Sequence, residues 1–103
     1  MDQESVVMEI IVNAGEARSL CFEALAKARK HEVLAAKGSL KQAKECLNRA
    51  HLIQTRLIEA DQGEGKVKMT LVMVHAQDHL MTTILAHELA TEMVAMHERL
   101  LEK

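Results

Sequence analysis

Proline, tryptophan and tyrosine are absent from this chain, and Phe22 is its only aromatic residue. Without proline, nothing forces a break in a helix. Without aromatics there is no stacking platform for bases. With 13 basic against 15 acidic residues there is no basic excess either, so nothing points to nucleic acid. No run of eighteen apolar residues occurs, so no direct membrane insertion is expected. The N-terminal MDQESVVMEII carries acidic residues and no basic region, unlike a signal peptide, and a cytoplasmic protein is expected. Cys21 and Cys46 lack CxxC spacing and read as buried, reduced thiols.

What is present favours helix. Of the 103 residues, 49% are apolar, and with so few aromatics Ala, Leu, Val, Ile and Met must do the packing. The length suits one domain spanning residues 1–103. Three helical segments emerge. The first runs from about Ser5 to Lys30, where Val6, Ile10, Ala17, Leu20, Ala24 and Ala28 follow three-four spacing beside Val7, Ile11, Ala14, Cys21 and Leu25. That arc is wide enough for more than one neighbour, and Gly15 within it marks a small-residue contact or a close approach. For the second helix, local signals favour a start at Ser39, where Ser39-Leu40-Lys41-Gln42 reads as a capping box after Gly38; the other start is near Glu32. Either way it runs to about Ala60. Asp61–Thr70, with two glycines and four charges, is the clearest loop. Thr70 is the expected N-cap of a third helix from Leu71 to about Leu101. The expected fold is an all-α, antiparallel three-helix bundle. A chain this apolar, without large side chains, is a candidate for completing its core with partner subunits.

The third helix carries the polar residues of interest. One stripe holds Leu71, Val74, Asp78, Met81 and Leu85, an apolar seam interrupted by one carboxylate. Burying an unpaired carboxylate costs several kcal/mol, so Asp78 must be paired, protonated, metal-bound or near water. Either it marks the solvated end of the seam, or copies of the seam pack together and bring several Asp78 side chains to one point. Clustered carboxylates need a divalent cation or a raised pKa. A second stripe holds His75, His79, Thr82, Ala86, Leu89, Met93, Met96 and Leu100, and its C-terminal half reads as ordinary core.

His75 and His79 share a face at i and i+4. The zinc-protease pattern HExxH requires a Glu where Ala76 stands, so that chemistry is excluded. A metal-binding bundle using His75 and His79, with His51 as the one further donor, is one reading. Another is nucleophilic histidine: a neutral imidazole nitrogen can accept a phosphoryl group and pass it on, with no nucleotide pocket. A purely structural histidine is the third. His31, His51, His87 and His97 have no context that lifts them above a structural role.

At VHAQDHLMTT (Val74–Thr83) the chain resembles the enzyme IIA proteins of the lactose/cellobiose branch of the bacterial phosphoenolpyruvate-dependent sugar phosphotransferase system. NAGEARSL (Asn13–Leu20), AHLIQTRLIEAD (Ala50–Asp61) and GEGK (Gly63–Lys66) extend the likeness over nearly the whole chain, and HLIQTRLIEAD with GEGK places it nearer the chitobiose and cellobiose members than the lactose ones. The resemblance implies that His75 accepts a phosphoryl group through Nε2 from the phosphorylated histidine-containing carrier protein. It then passes the group to a cysteine of the cognate IIB component during uptake of a disaccharide such as cellobiose, chitobiose or lactose. It also implies a homotrimer with Asp78 at its centre, where a divalent cation, often Mg²⁺, is held. His79 is a candidate to position the phosphate or hold His75. Gln77 reads as solvent-facing, and Lys66 and Lys68 as solvated loop lysines within reach of phosphate charge.

Overall fold

A computed structural model describes residues 2–102. The chain forms three helices, α1 (Gln3–Arg29), α2 (Val33–Asp61) and α3 (Leu71–Leu101), with no strand among the described residues. Cross-helix pairs run in opposite order along α1 and α2, Asn13 with Arg49 and Glu23 with Ser39. They do so again along α2 and α3, where Lys37 meets Glu98 and Gln54 meets Gln77. The bundle is therefore antiparallel at each turn, and α1 and α3 run parallel. It is a rod of 55 × 21 × 19 Å. Its radius of gyration is 16.0 Å, against about 13 Å for a compact chain of this length.

The wide arc of α1 is used as its spacing implies. Val6, Val7, Ile10, Ala14, Ala17, Cys21, Ala24 and Ala28 are buried, and α1 packs along both other helices. Both thiols lie in this core, and burial pushes each above its ordinary pKa. Gly15 faces α3: a Cβ there would sit 3.7 Å from His79 Nε2, an ordinary contact distance.

The capping box does not start α2. After α1 the chain reverses through His31 at φ 65°, with His31 N–H donating to Ala28 O and Glu32 N–H to Lys27 O, and α2 begins at Val33. Gly38 lies inside the helix. Ser39 is buried, and its hydroxyl donates to Glu23 Oε2 at 2.9 Å while accepting from Lys27 Nζ at 2.9 Å. A hydroxyl satisfied by a neighbouring helix is no longer needed as a cap, and burial of Ala36, Leu40 and Ala43 on α1 carries the helix across the glycine.

The loop after α2 is organised by Asp61. Its carboxylate accepts from the N–H groups of Val67 (2.9 Å) and Gly65 (3.3 Å), while Gln62, Gly63 and Gly65 take positive φ. Gln3 Nε2 ties Lys68 O to the start of α1 at 2.7 Å. Thr70 then caps α3, its hydroxyl accepting from Met73 N–H at 3.2 Å. Thr70→Ala is expected to lower stability by about 1 kcal/mol, read as a shift of the urea midpoint with an unchanged slope.

The core face of α3 differs from the sequence expectation. The buried residues are Met73, Ala76, Leu80, Thr83, Ala90 and Val94. The stripe expected to be ordinary core is exposed, with Leu89, Met93, Met96 and Leu100 between 45% and 63% accessible. Leu71, Val74, Met81 and Leu85 are exposed too. So α3 carries apolar residues on more than one face, and one protomer covers only part of them. Among the described residues no helix is long and apolar enough to cross a membrane.

Candidate functional site

Asp78 stands two residues from both Ala76 and Leu80, which puts it about 160–200° round the helix from the protomer core. It is exposed, and so is the apolar stripe around it: Leu71, Val74, Met81, Leu85, Leu89, Met96 and Leu100. That stripe repeats at three and four residues, with Leu71, Asp78 and Leu85 in one register and Val74 and Met81 in the other. It is the spacing of a helix–helix seam.

His75 is exposed on the edge of this stripe that turns toward α1. Its helical neighbours at i−4 and i−3 are Leu71, 88% exposed, and Val72, 48% exposed. The parallel run of α1 and α3, fixed by the Gln3–Lys68 bond and the Gly15–His79 contact, places His75 level with the turn of α1 before Gly15. Val12, 58% exposed, and Met8 lie on that stretch. An accessible imidazole thus shares its helix face with the accessible apolar side chains Leu71 and Val72.

His79, one turn on, is half-buried, and its ring stacks on His75 with centroids 6.0 Å apart and planes within 9°. The two rings lie alongside each other, one turn apart on the same face of α3. His79 itself lies against Gly15 of α1. Thr82 and Thr83 donate back to His79 O at 3.2 and 2.7 Å, binding the hydroxyls to the helix rather than to the imidazoles.

His51 does not join this pair. It lines a cavity between α2 and α3 with Ile84, His87 and Glu88, two to three turns further along α3. Among the described residues no three His, Cys, Asp or Glu side chains converge within one protomer. Lys66 is engaged inside its loop by Gln62 Oε1 (2.6 Å) and Glu64 (3.3 Å). Gln77, expected to face solvent, is half-buried: its Oε1 accepts from Gln54 Nε2 at 2.8 Å and its Nε2 lies 3.4 Å from Met73 Sδ. Nothing in the sequence marks Gln54 as its partner, since the two are joined only by the antiparallel register of α2 and α3.

Comparison with known proteins bears on the family and the fold. The family described as "PTS system, Lactose/Cellobiose specific IIA subunit" matches residues 5–98. The chain is 56% identical to the N,N'-diacetylchitobiose-specific EIIA component of Escherichia coli K12, over 94% of this chain and 84% of that one. Two solved structures resemble it closely. The cellobiose-specific enzyme IIA of Bacillus anthracis superposes with a TM-score of 0.93 at 36% identity, covering 100% of this chain and 94% of that one. The IIA(chitobiose) in the IIA(chitobiose)–HPr complex of the E. coli phosphotransferase system gives 0.84 at 53% identity, covering 97% of each.

Proposed function

This chain belongs to the lactose/cellobiose-specific IIA family of the sugar phosphotransferase system, and we propose that His75 is the residue on which it carries phosphate. The chain is a phosphotransferase component of the chitobiose/cellobiose type. The observation that carries the proposal is the placement of His75: accessible, with its ring parallel to that of His79, and flanked one turn earlier on the helix by the exposed apolar residues Leu71 and Val72. A protein substrate must dock to deliver its phosphoryl group, and an apolar collar round a nucleophile gives it something to dock on.

The donor is the phosphorylated histidine-containing carrier protein, a reading supported by the E. coli relative solved in complex with HPr. Neutral His75 attacks through the Nε2 lone pair while Nδ1 keeps its proton. A new P–N bond forms as the P–N bond to the carrier's histidine breaks, and that electron pair returns to the donor ring. In the second step a cysteine thiolate of the sugar-specific IIB component attacks the same phosphorus. The P–S bond forms, the His75 P–N bond breaks, and His75 is neutral again. Each step exchanges one bond for another, so neither water nor nucleotide is consumed. The disaccharide itself meets a different component.

The active assembly is a homotrimer joined through the α3 stripe. An exposed seam of this length, on the side of α3 opposite the core, is too large an apolar area to leave in water. A three-fold axis along it brings three Asp78 carboxylates together. Hard oxygen donors suit a hard divalent cation such as Mg²⁺, with waters completing its shell. One protomer gathers no such set, so the three copies of Asp78 would hold the ion jointly. Its chemistry there is neutralisation of like charges.

Incubation with phosphoenolpyruvate, enzyme I and the carrier protein, followed by intact mass, tests the carrier role. The expected result is a gain of one phosphoryl group per chain at neutral pH that disappears on acidification, as a phosphohistidine does. A folded protein that gains nothing, and instead binds zinc one-to-one through His75 and His79, would establish the metal-binding alternative.

A further inference from the structure

The helices beside His75 are short of positive charge. On α3 and the two residues before it, no lysine or arginine occurs from Met69 to Glu98. On α1 none precedes Arg18, while Asp2, Glu4, Glu9 and Glu16 are all acidic. The two helices that run parallel past His75 therefore bring no permanent cation to it. Of the loop lysines, Lys66 is already engaged by Gln62 and Glu64. Asp78 follows His75 by three residues and is exposed like it, so the two side chains leave the helix about 5–6 Å apart at Cβ.

A phosphoryl group carries a charge of about −1.5 to −2 at neutral pH. Placed on His75, it adds to the charge of Asp78, and neither α1 nor α3 of its own protomer supplies a basic side chain to offset it. The remaining counter-charge is the divalent cation that three Asp78 carboxylates would hold jointly. An ion on a three-fold axis is equidistant from all three His75 side chains, so it serves each of them without touching any.

We propose that the two sites are linked: phosphorylation of His75 tightens the hold of the three Asp78 carboxylates on the axial cation, and the cation in turn stabilises the phosphorylated protein. This deepens the carrier reading and rests on it, on the trimer and on the axial cation. The linkage is reciprocal. Whatever factor phosphorylation contributes to cation affinity, the cation returns to the phosphorylation equilibrium. The arrangement suits a carrier. An arginine fork would bind the phosphoryl oxygens directly. A charge on the axis acts through space and leaves those oxygens free for the incoming partner.

The reach of the two side chains puts a phosphoryl group on His75 roughly 10 Å from the axis. Attraction between a divalent ion and a doubly charged group at that distance, through water and screened at physiological ionic strength, is worth about twofold in affinity. Three phosphoryl groups together give about tenfold.

The test titrates Mg²⁺ calorimetrically into the wild-type protein, unphosphorylated and fully phosphorylated, each freed of enzyme I, carrier and metal. The phosphorylated form is expected to bind Mg²⁺ about tenfold more tightly, with a difference that shrinks at high salt. His75→Glu places a permanent negative charge at the same position and should tighten Mg²⁺ binding by a smaller factor. Phosphorylated Asp78→Leu, and Asp78→Asn, which keeps the size and polarity, should show no such binding. In the reverse direction, equilibration with the phosphorylated carrier should favour the phosphorylated protein about twofold more per site with Mg²⁺ than with chelator, and equally in the two Asp78 variants. Equal Mg²⁺ affinity in the two wild-type forms overturns the linkage while leaving the carrier role intact. So does tight Mg²⁺ binding by the phosphorylated Asp78 variants, since the ion would then sit on the phosphoryl group itself. Wild-type protein that binds no Mg²⁺ in either form overturns the axial cation and the linkage together. A monomer in sedimentation overturns the trimer with them, and failure to accept phosphate overturns the carrier reading itself.

Discussion

His75→Ala protein is expected to fold, assemble and melt like the wild type and yet take up no phosphoryl group. His75 is exposed, and alanine is the better helix former, so the substitution removes no buried contact apart from the stack on His79. The stability change should stay within about 0.5 kcal/mol, as for ordinary surface substitutions. The activity change is of another order. Removing a nucleophile abolishes a covalent step rather than slowing it, with losses on the order of 10⁴-fold or more in well-studied enzymes. His79 is the one residue positioned to rescue the reaction, since its ring lies 6.0 Å away. It is half-buried against Gly15, however, and is not presented to a docked partner. Intact mass after incubation with the phosphorylated carrier separates the two histidines. His75→Ala should stay unmodified and His79→Ala should still gain the acid-labile group, more slowly if the stack matters. Modification of His75→Ala at the wild-type rate would move the site elsewhere.

Charge in the seam should have the second largest effect. Replacing Asp78 by Leu continues the pattern of Leu71, Val74, Met81 and Leu85 without interruption. If three carboxylates meet on the axis, their desolvation and mutual repulsion oppose assembly unless a cation compensates. Apolar replacement of buried charged groups often gains about 1–4 kcal/mol, so Asp78→Leu is expected to remain a trimer and to melt several degrees higher. Chelation should lower the wild-type melting temperature and leave Asp78→Leu unmoved. Leu85→Asp is the opposite case: it adds a second ring of carboxylates one heptad on and should leave monomers at micromolar concentration in sedimentation. Were Asp78→Leu to dissociate, the cation would be an essential part of the interface. Were Leu85→Asp to remain fully trimeric, the stripe would not be the axis.

The α3 result shows how sequence pattern and tertiary structure divide the problem. That α3 is helical, begins after Thr70 and carries His75, Asp78 and His79 within two turns follows from the residues. So does the Ala-rich, double-sided packing of α1. Which face of α3 enters the protomer does not follow from its residues, because apolar side chains occur on more than one side of the helix. Periodicity locates a core only when the remaining surface is polar. The face chosen by α1 and α2 is the one with Met73, Ala76, Leu80 and Thr83, and the Leu and Met stripe stays exposed.

The same limit explains Ser39 and Gln77. A Ser-x-x-Gln box is a local signal, and it is overridden when the hydroxyl finds Glu23 and Lys27 on a neighbouring helix. A glutamine on a helix reads as solvated until another helix brings Gln54 to within 2.8 Å of it. Composition and local spacing by themselves determined three long helices, their loop, the pairing of His75 and His79 on one helix face and the anomalous aspartate, because each depends on residues within one or two turns of one another. Register between helices, the choice of buried face and the Gln54–Gln77 pair were decided by the tertiary structure alone. They depend on residues far apart in the chain competing for the same surface, a competition that packing resolves and local pattern does not record.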